Sequence, residues 1–172
     1  MKANRLPSKE YLNRTFTYDP ESGDLYWKSR DDVPACVNSR FAGKVVGTPN
    51  SNGLGVRLNG ISYAVHRIIY AMVADDILTD DDEIDHIDLC HFNNSWDNLR
   101  KVTHQQNMFN RNAQCNSSSG IKCIDILPSG KFRVRVSGLH IGCYSDMEDA
   151  VEAAQDAILQ FHREHGRLPL LP

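Results

Sequence analysis

Long apolar runs are missing from this chain. No stretch approaches the roughly eighteen residues of a membrane-spanning helix, and the start, MKANRLPSKEYL, lacks the apolar centre of a signal peptide. An intracellular protein without a membrane partner is expected. Paired cysteines are missing too. The five cysteines, Cys36, Cys90, Cys115, Cys123 and Cys143, are odd in number, and none is followed by another at the short spacing of zinc ligands or a redox pair. Reduced, structural thiols are expected, and a structural zinc is not. Internal repeats are absent, and so is any feature implying an obligate protein partner. Strong net charge is lacking as well: −3 over 172 residues argues against a generally basic nucleic-acid binder. What remains is a hydrophobic fraction of 41%, enough for one medium or two small folded domains.

The modest net charge hides a strong asymmetry. Asp75, Asp76, Asp80, Asp81, Asp82, Glu83, Asp85 and Asp88 follow one another with no Lys or Arg between them. From Leu99 to His140 the sign inverts, with Arg100, Lys101, Arg111, Lys122, Lys131, Arg133 and Arg135 against Asp125 alone. Two solvated faces would read this way, and so would a metal-dependent enzyme that acts on a polyanion.

Local signals give the organisation. Ser8 is placed to cap a short helix that should end near Tyr18-Asp19-Pro20, before a strand at Leu25 to Lys28. Asp31 to Arg40 has no periodicity and reads as loop, and Lys44 to Gly47 as a short strand. Asn59-Gly60 between Val56-Arg57-Leu58 and Ile61 to Val65 marks a tight hairpin, followed by a buried helix from His66 to Val73. His66 and Arg67 read as packing and positioning residues. Leu99 to Val102 can form a strand, and Thr103-His104-Gln105-Gln106 opens another helix with a capping box.

The C-terminal third reads as a three-stranded meander: Gly120 to Ile126, Lys131 to Val136 and Leu139 to Tyr144. In its middle strand Lys131, Arg133 and Arg135 share one face while Phe132, Val134 and Val136 share the other, because strand side chains alternate. Ser145 to Glu148 forms a capping box for a helix whose stripe is Met147, Ala150, Val151, Ala154, Ala157, Ile158 and Phe161, and Gly166 should end it.

The densest chemistry lies in IDHIDLCHFNNSWDNLRKVTHQQNMFNRN, Ile84 to Asn112. Hydrolysis of a phosphodiester needs a base for water and a divalent cation. Adjacent Asp85 and His86 on a strand can divide these tasks, Asp85 through a hard oxygen and His86 as the base. Asn107, on the second turn of the following helix, can offer an amide oxygen. Taken alone, an Asp-His pair is more often structural than catalytic.

Asp85-His86-Ile87-Asp88, Asn93-Asn94, Asp97-Asn98-Leu99-Arg100 and Gln106-Asn107 resemble the ββα-metal motif of HNH endonucleases, especially the phage-type homing enzymes. Tyr18 to Gly23, Ala42 to Thr48 and Tyr63 to Arg67 are similar to that family's leader, and the C-terminal meander and helix are similar to the DNA-binding domain of plant ethylene-response factors. The resemblance implies Asp85 and Asn107 as ligands of one divalent cation, Mg²⁺ or Mn²⁺, His86 as general base, and Asn98 as the residue that orients it. It also implies cleavage to 5′-phosphate and 3′-hydroxyl ends. Double-stranded DNA is the implied partner, with Lys131, Arg133, Arg135, Lys122, Arg100 and Arg111 as contact candidates.

The expected fold is therefore α+β. A nuclease domain spans 1–113, with a hairpin and helix leader and the ββα-metal core at about 83–112. A linker at 114–119, a three-stranded antiparallel sheet packed on one helix at 120–166, and a tail at 167–172 complete it. Two readings compete: a DNA-binding regulator carrying a relic of the HNH segment, and a zinc-stabilised module built on Cys90 and His91.

Overall fold

The computed structural model describes residues 4–79, 82–110, 113, 117–162 and 168–169, a mixed α/β chain with small sheets and five α-helices. It divides into two compact units, Met1–His104 and Gln105–Pro172. Among the described residues no helix is long and apolar enough to cross a membrane.

In the first unit, α1 (Lys9–Thr15) starts where Ser8 Oγ accepts from the Tyr11 amide at 3.3 Å, and it buries Leu12 and Thr15. It ends sooner than the sequence suggested. Phe16 turns extended, and β1 (Phe16–Tyr18) pairs antiparallel with β2 (Leu25–Trp27), Phe16 opposite Trp27. Strand pairing and complete burial of Phe16 outweigh the run-on of the helix to Pro20. Asp19 then builds the turn, accepting from the Glu21 amide at 3.1 Å and the Ser22 hydroxyl at 2.9 Å.

The segment expected as loop contains α2 (Ala35–Phe41), a helix with no buried residue. Its brace is polar: the Asn38 side chain accepts from the Arg30 amide and donates to the Arg30 carbonyl, at 3.1 and 2.7 Å. The short strand also shifts. Val45 makes only a single bridge to Tyr26, and pairing begins at β3 (Thr48–Asn50), alongside β4 (Gly53–Leu58). β4 and β5 (Ile61–Ala64) form the hairpin expected at Asn59-Gly60, both with positive φ. α3 (Val65–Val73) follows and buries Val65, Ile68, Ile69 and Met72, the spacing of one helical face.

That face closes the core with Leu12, Phe16, Leu25, Val46, Val56, Leu58, Ile84 and Leu99. Ile84 lies on β6 (Asp82–His86), which pairs antiparallel with β7 (Leu99–Thr103), placing Asp85 opposite Arg100 and His86 opposite Leu99. A single 3₁₀ turn, Trp96–Asn98, leads into β7, and α4 (His104–Asn110) follows it. The strand that carries the Asp-His pair is thus anchored by apolar contact one residue away.

In the second unit, β8 (Ile124–Ile126), β9 (Phe132–Val136) and β10 (Leu139–Tyr144) form an antiparallel meander in the order β10-β9-β8. β8 is shorter than expected, since Cys123 takes φ +68, outside the extended region. α5 (Met147–His162) covers the sheet with Ala150, Val151, Ala154, Ala157 and Ile158, which pack with Ile121, Ile124, Val134 and Val136. Full burial of a residue such as Ile158 contributes about 1.5–3 kcal/mol. Two expectations are corrected here. Phe161 leaves the stripe and is 45% exposed, and the helix start is capped by Asp146, whose Oδ1 accepts from the Glu148 amide at 2.7 Å, rather than by Ser145. Gly166 and linker residues Gln114, Cys115 and Asn116 lie outside the described residues.

Candidate active site

β6 ends in two polar residues that the fold encloses. Asp85 is 6% exposed and His86 3%. Burying such groups is unfavourable unless each has a partner, and each has one. Arg100 Nε and Nη2 both donate to Asp85 Oδ2, at 3.0 and 2.9 Å. His86 Nε2 meets Asn94 Oδ1 at 2.9 Å. An amide oxygen only accepts, so the neutral ring carries its proton on Nε2 and its lone pair on Nδ1.

Asn94 is itself 2% exposed, and several elements hold it. The Tyr18 hydroxyl donates to its carbonyl at 2.9 Å. Gly23, at φ +76, lies so close that a Cβ there would stand 2.5 Å from the Ser95 nitrogen, and a Cβ on Gly53 (φ +105) would stand 2.4 Å from the His91 oxygen. Only glycine allows both the backbone conformation and the approach. The leader turn and β4 therefore press on the loop that carries Asn94.

Asp88 ties the rest of the loop. Its carboxylate accepts from the Cys90 amide at 2.7 Å, Asn93 Nδ2 at 2.8 Å and Asn98 Nδ2 at 2.9 Å. Burial raises its pKa, but these hydrogen bonds outweigh burial and leave the carboxyl below its ordinary value. Asn98 was expected on the imidazole. It instead donates to Asp88 and to the Asn93 carbonyl and accepts from the Asp88 amide, at 2.9, 2.8 and 3.0 Å, so its amide is already spent on the loop. Asn94 takes the position on His86 instead.

Two further imidazoles flank His86. His66 lies edge-on with ring centroids 4.9 Å apart, and His91 does the same at 5.6 Å. Burial, opposed by the Asn94 hydrogen bond, pushes the His86 pKa below its ordinary value. His66 is pushed down to about 3, by burial first and then by His86, Arg67 and His91, and its buried Nδ1 has no hydrogen-bond partner.

This has a stability consequence. Folded His66 stays neutral where the unfolded chain takes up a proton, so stability is full above the ordinary value of 6.5 and falls as pH drops from there toward 3. Between pH 7 and 5 His66 should cost the fold about 2 kcal/mol. Urea unfolding of the native chain and His66→Phe at both pH values should show a loss between pH 7 and 5 that is about 2 kcal/mol larger in the native chain, since the lowered His86 acts in both.

The other sequence-derived residues lie on several elements. Asn107 lies on α4 in the second unit, Lys122 precedes β8, and Lys131, Arg133 and Arg135 lie on the outward face of the meander. Arg111 lies outside the described residues. Arg100, expected on DNA, is turned onto Asp85. The acidic run does not act as one patch: Asp75 faces Lys9, and Asp76 and Asp82 face Lys101, while Asp80 and Asp81 lie outside the described residues. Among the described residues no group of three or more His, Cys, Asp or Glu side chains is arranged to hold a metal ion. The carboxylate oxygen of Asp85 is nevertheless donor chemistry that suits a hard cation such as Mg²⁺. Cys90, the thiol of the zinc-stabilised reading, is exposed.

Residues 63–109 match the family model of an HNH endonuclease. The matched segment runs from β5 to α4 and contains Asp85, His86, Asn94, Asn98 and Asn107. An uncharacterized HNH endonuclease of Acanthamoeba polyphaga mimivirus is 40% identical over 52 residues, which cover 30% of this chain and 28% of that protein. The chain thus spans little more than a quarter of the length of that relative. No solved structure matches.

Proposed function

We propose that the chain is a metal-dependent DNA endonuclease of the HNH homing type, with His86 as general base. The observation that carries this reading is the buried, neutral imidazole of His86, held through Nε2 by Asn94 and adjacent to Asp85, inside the segment similar to HNH endonucleases. His86 Nδ1 takes the proton from a water molecule as its oxygen attacks phosphorus, and the Nε2–H···Asn94 bond keeps the ring in that tautomer. Asn98, through Asp88, keeps the loop in the shape that presents Asn94. Asp85 and Asn107 would hold one Mg²⁺ or Mn²⁺ ion, the core then being of the ββα-metal type. When bound, that ion neutralises charge on the phosphate and on the departing oxygen. The products would be 5′-phosphate and 3′-hydroxyl ends on double-stranded DNA.

The flanking residues complete the proposal. Residues 1–113 form the nuclease domain, 114–119 a linker, and 120–166 a DNA-contact module similar to that of ethylene-response factors. Lys131, Arg133 and Arg135, with Lys122 and Arg111, would contact the duplex.

One observation favours a second reading. Arg100 already places a cation on Asp85, which is what a DNA-binding regulator with a relic of this segment would need for stability alone. Supercoiled plasmid separates the two. The endonuclease should convert it to nicked or linear forms with Mg²⁺ or Mn²⁺, stop when chelator is added, and leave ends that DNA ligase reseals. Intact plasmid under every metal condition would leave the regulator.

A further inference from the structure

The outward face of the meander carries an anomaly. Asp125 is directly opposite Arg133, Arg133 is opposite Cys143, and Arg135 is opposite His140. Alternation puts all five on the face opposite Val134 and Val136, which are fully buried. Amid Lys131, Arg133 and Arg135, Asp125 is a carboxylate in the middle of the face that the proposed function turns toward DNA. There it would repel phosphates.

Its geometry is specific. A single oxygen, Asp125 Oδ2, accepts from Arg133 Nη2 at 3.0 Å and from Arg135 Nη2 at 2.8 Å. Both arginines, Arg133 first, hold the carboxyl below its ordinary pKa, so the bridge persists at neutral pH. Arg133 Nε is buried and has no hydrogen-bond partner, so Asp125 is the acceptor that fixes its guanidinium. Exposed ion pairs contribute little to stability, and the apolar side of this unit already has its own core under α5. Stability therefore does not account for the bridge.

We propose that Asp125 is a specificity-determining positioning residue for duplex DNA, fixing Arg133 and Arg135 as two forks aimed at base edges and cancelling one charge otherwise spent on phosphate. The inference rests on the reading of this sheet as a DNA-contact surface. A major groove admits a narrow antiparallel ribbon, and an oriented guanidinium meets guanine O6 and N7 with two parallel hydrogen bonds. An arginine free to swing contacts phosphates, which position but do not specify. Asp125 biases the pair from the second behaviour to the first.

The test uses the full chain. Preferred duplexes are selected from a random-sequence pool, and affinity for the selected and a scrambled duplex is measured across salt. In Asp125→Asn, which keeps the side-chain shape, discrimination between the two should fall about tenfold. Affinity for the scrambled duplex should rise, and the plot of log affinity against log salt should steepen by up to about one, the mark of one more phosphate contact. Arg133→Ala and Arg135→Ala should each weaken the selected duplex more than the scrambled one.

Unchanged discrimination and unchanged slope in Asp125→Asn overturn the positioning role while leaving the DNA surface standing. Equal weakening on both duplexes with a lowered melting temperature also overturns it, since that is a merely structural effect. If the arginine variants bind every duplex as the native chain does, or no sequence is enriched from the pool, the DNA-contact reading falls and this inference with it.

Discussion

His86→Ala should lower the single-turnover rate of plasmid nicking by about 10²–10⁴, the range that a positioned general base supplies, with little change in affinity for DNA. The size follows from the arrangement. Asn94 Oδ1 accepts from Nε2 at 2.9 Å, which leaves the lone pair of the neutral ring on Nδ1. Burial keeps the imidazole neutral at the pH of the assay. Alanine removes the acceptor of the proton. His66 and His91 contact the edges of the ring but are not held by Asn94. Because the variant also leaves Asn94 Oδ1 buried beside a cavity, its melting curve is recorded in parallel and the rate is compared at temperatures where both proteins are folded.

Asp85→Ala should abolish nicking and also destabilise the first unit. Asp85 is nearly fully buried and takes two hydrogen bonds from Arg100, which is itself largely covered. Removing one member of a buried ion pair leaves the other in a poorly solvated position, here at about 2–4 kcal/mol because Arg100 keeps some access to water. Asp85→Asn separates the two effects. An amide keeps the shape and one acceptor for Arg100, so stability should largely return, while the negative charge that would hold a divalent cation does not. Chemical denaturation and plasmid nicking on the same two variants check both halves. Recovery of nicking along with stability in Asp85→Asn would mean that the carboxylate serves only the fold.

Features with local causes were legible in the sequence. Ser8 as a cap, Asn59-Gly60 as a tight turn and the Ala150 to Ile158 stripe each depend on residues within a turn or two of themselves, and each was found. α2 was missed because it buries nothing: a helix held by the Asn38 and Arg30 bonds leaves no hydrophobic period to read. Asp85 and His86 stood out by type and adjacency, yet which asparagine serves His86 did not. That choice depends on Tyr18, Gly23 and Gly53 pressing on the loop from positions some 40–75 residues earlier in the chain, and on Asp88 taking up Asn98 first. The Asn93-Asn94 doublet stood in the resembling motif with no role assigned to it. Likewise, the alternation in β9 revealed a cationic face, but the carboxylate that bridges it comes from a neighbouring strand.

In the proposed mechanism the His86 imidazole itself moves the proton. The most direct measurement of this is nicking by His86→Gly in Mg²⁺ with and without added imidazole. The expected result is a nearly inactive variant whose rate rises with imidazole concentration and tracks the neutral form of the added base. A variant that nicks like the native chain, or that stays folded and DNA-bound yet gains nothing from imidazole while the native chain is active, would contradict it.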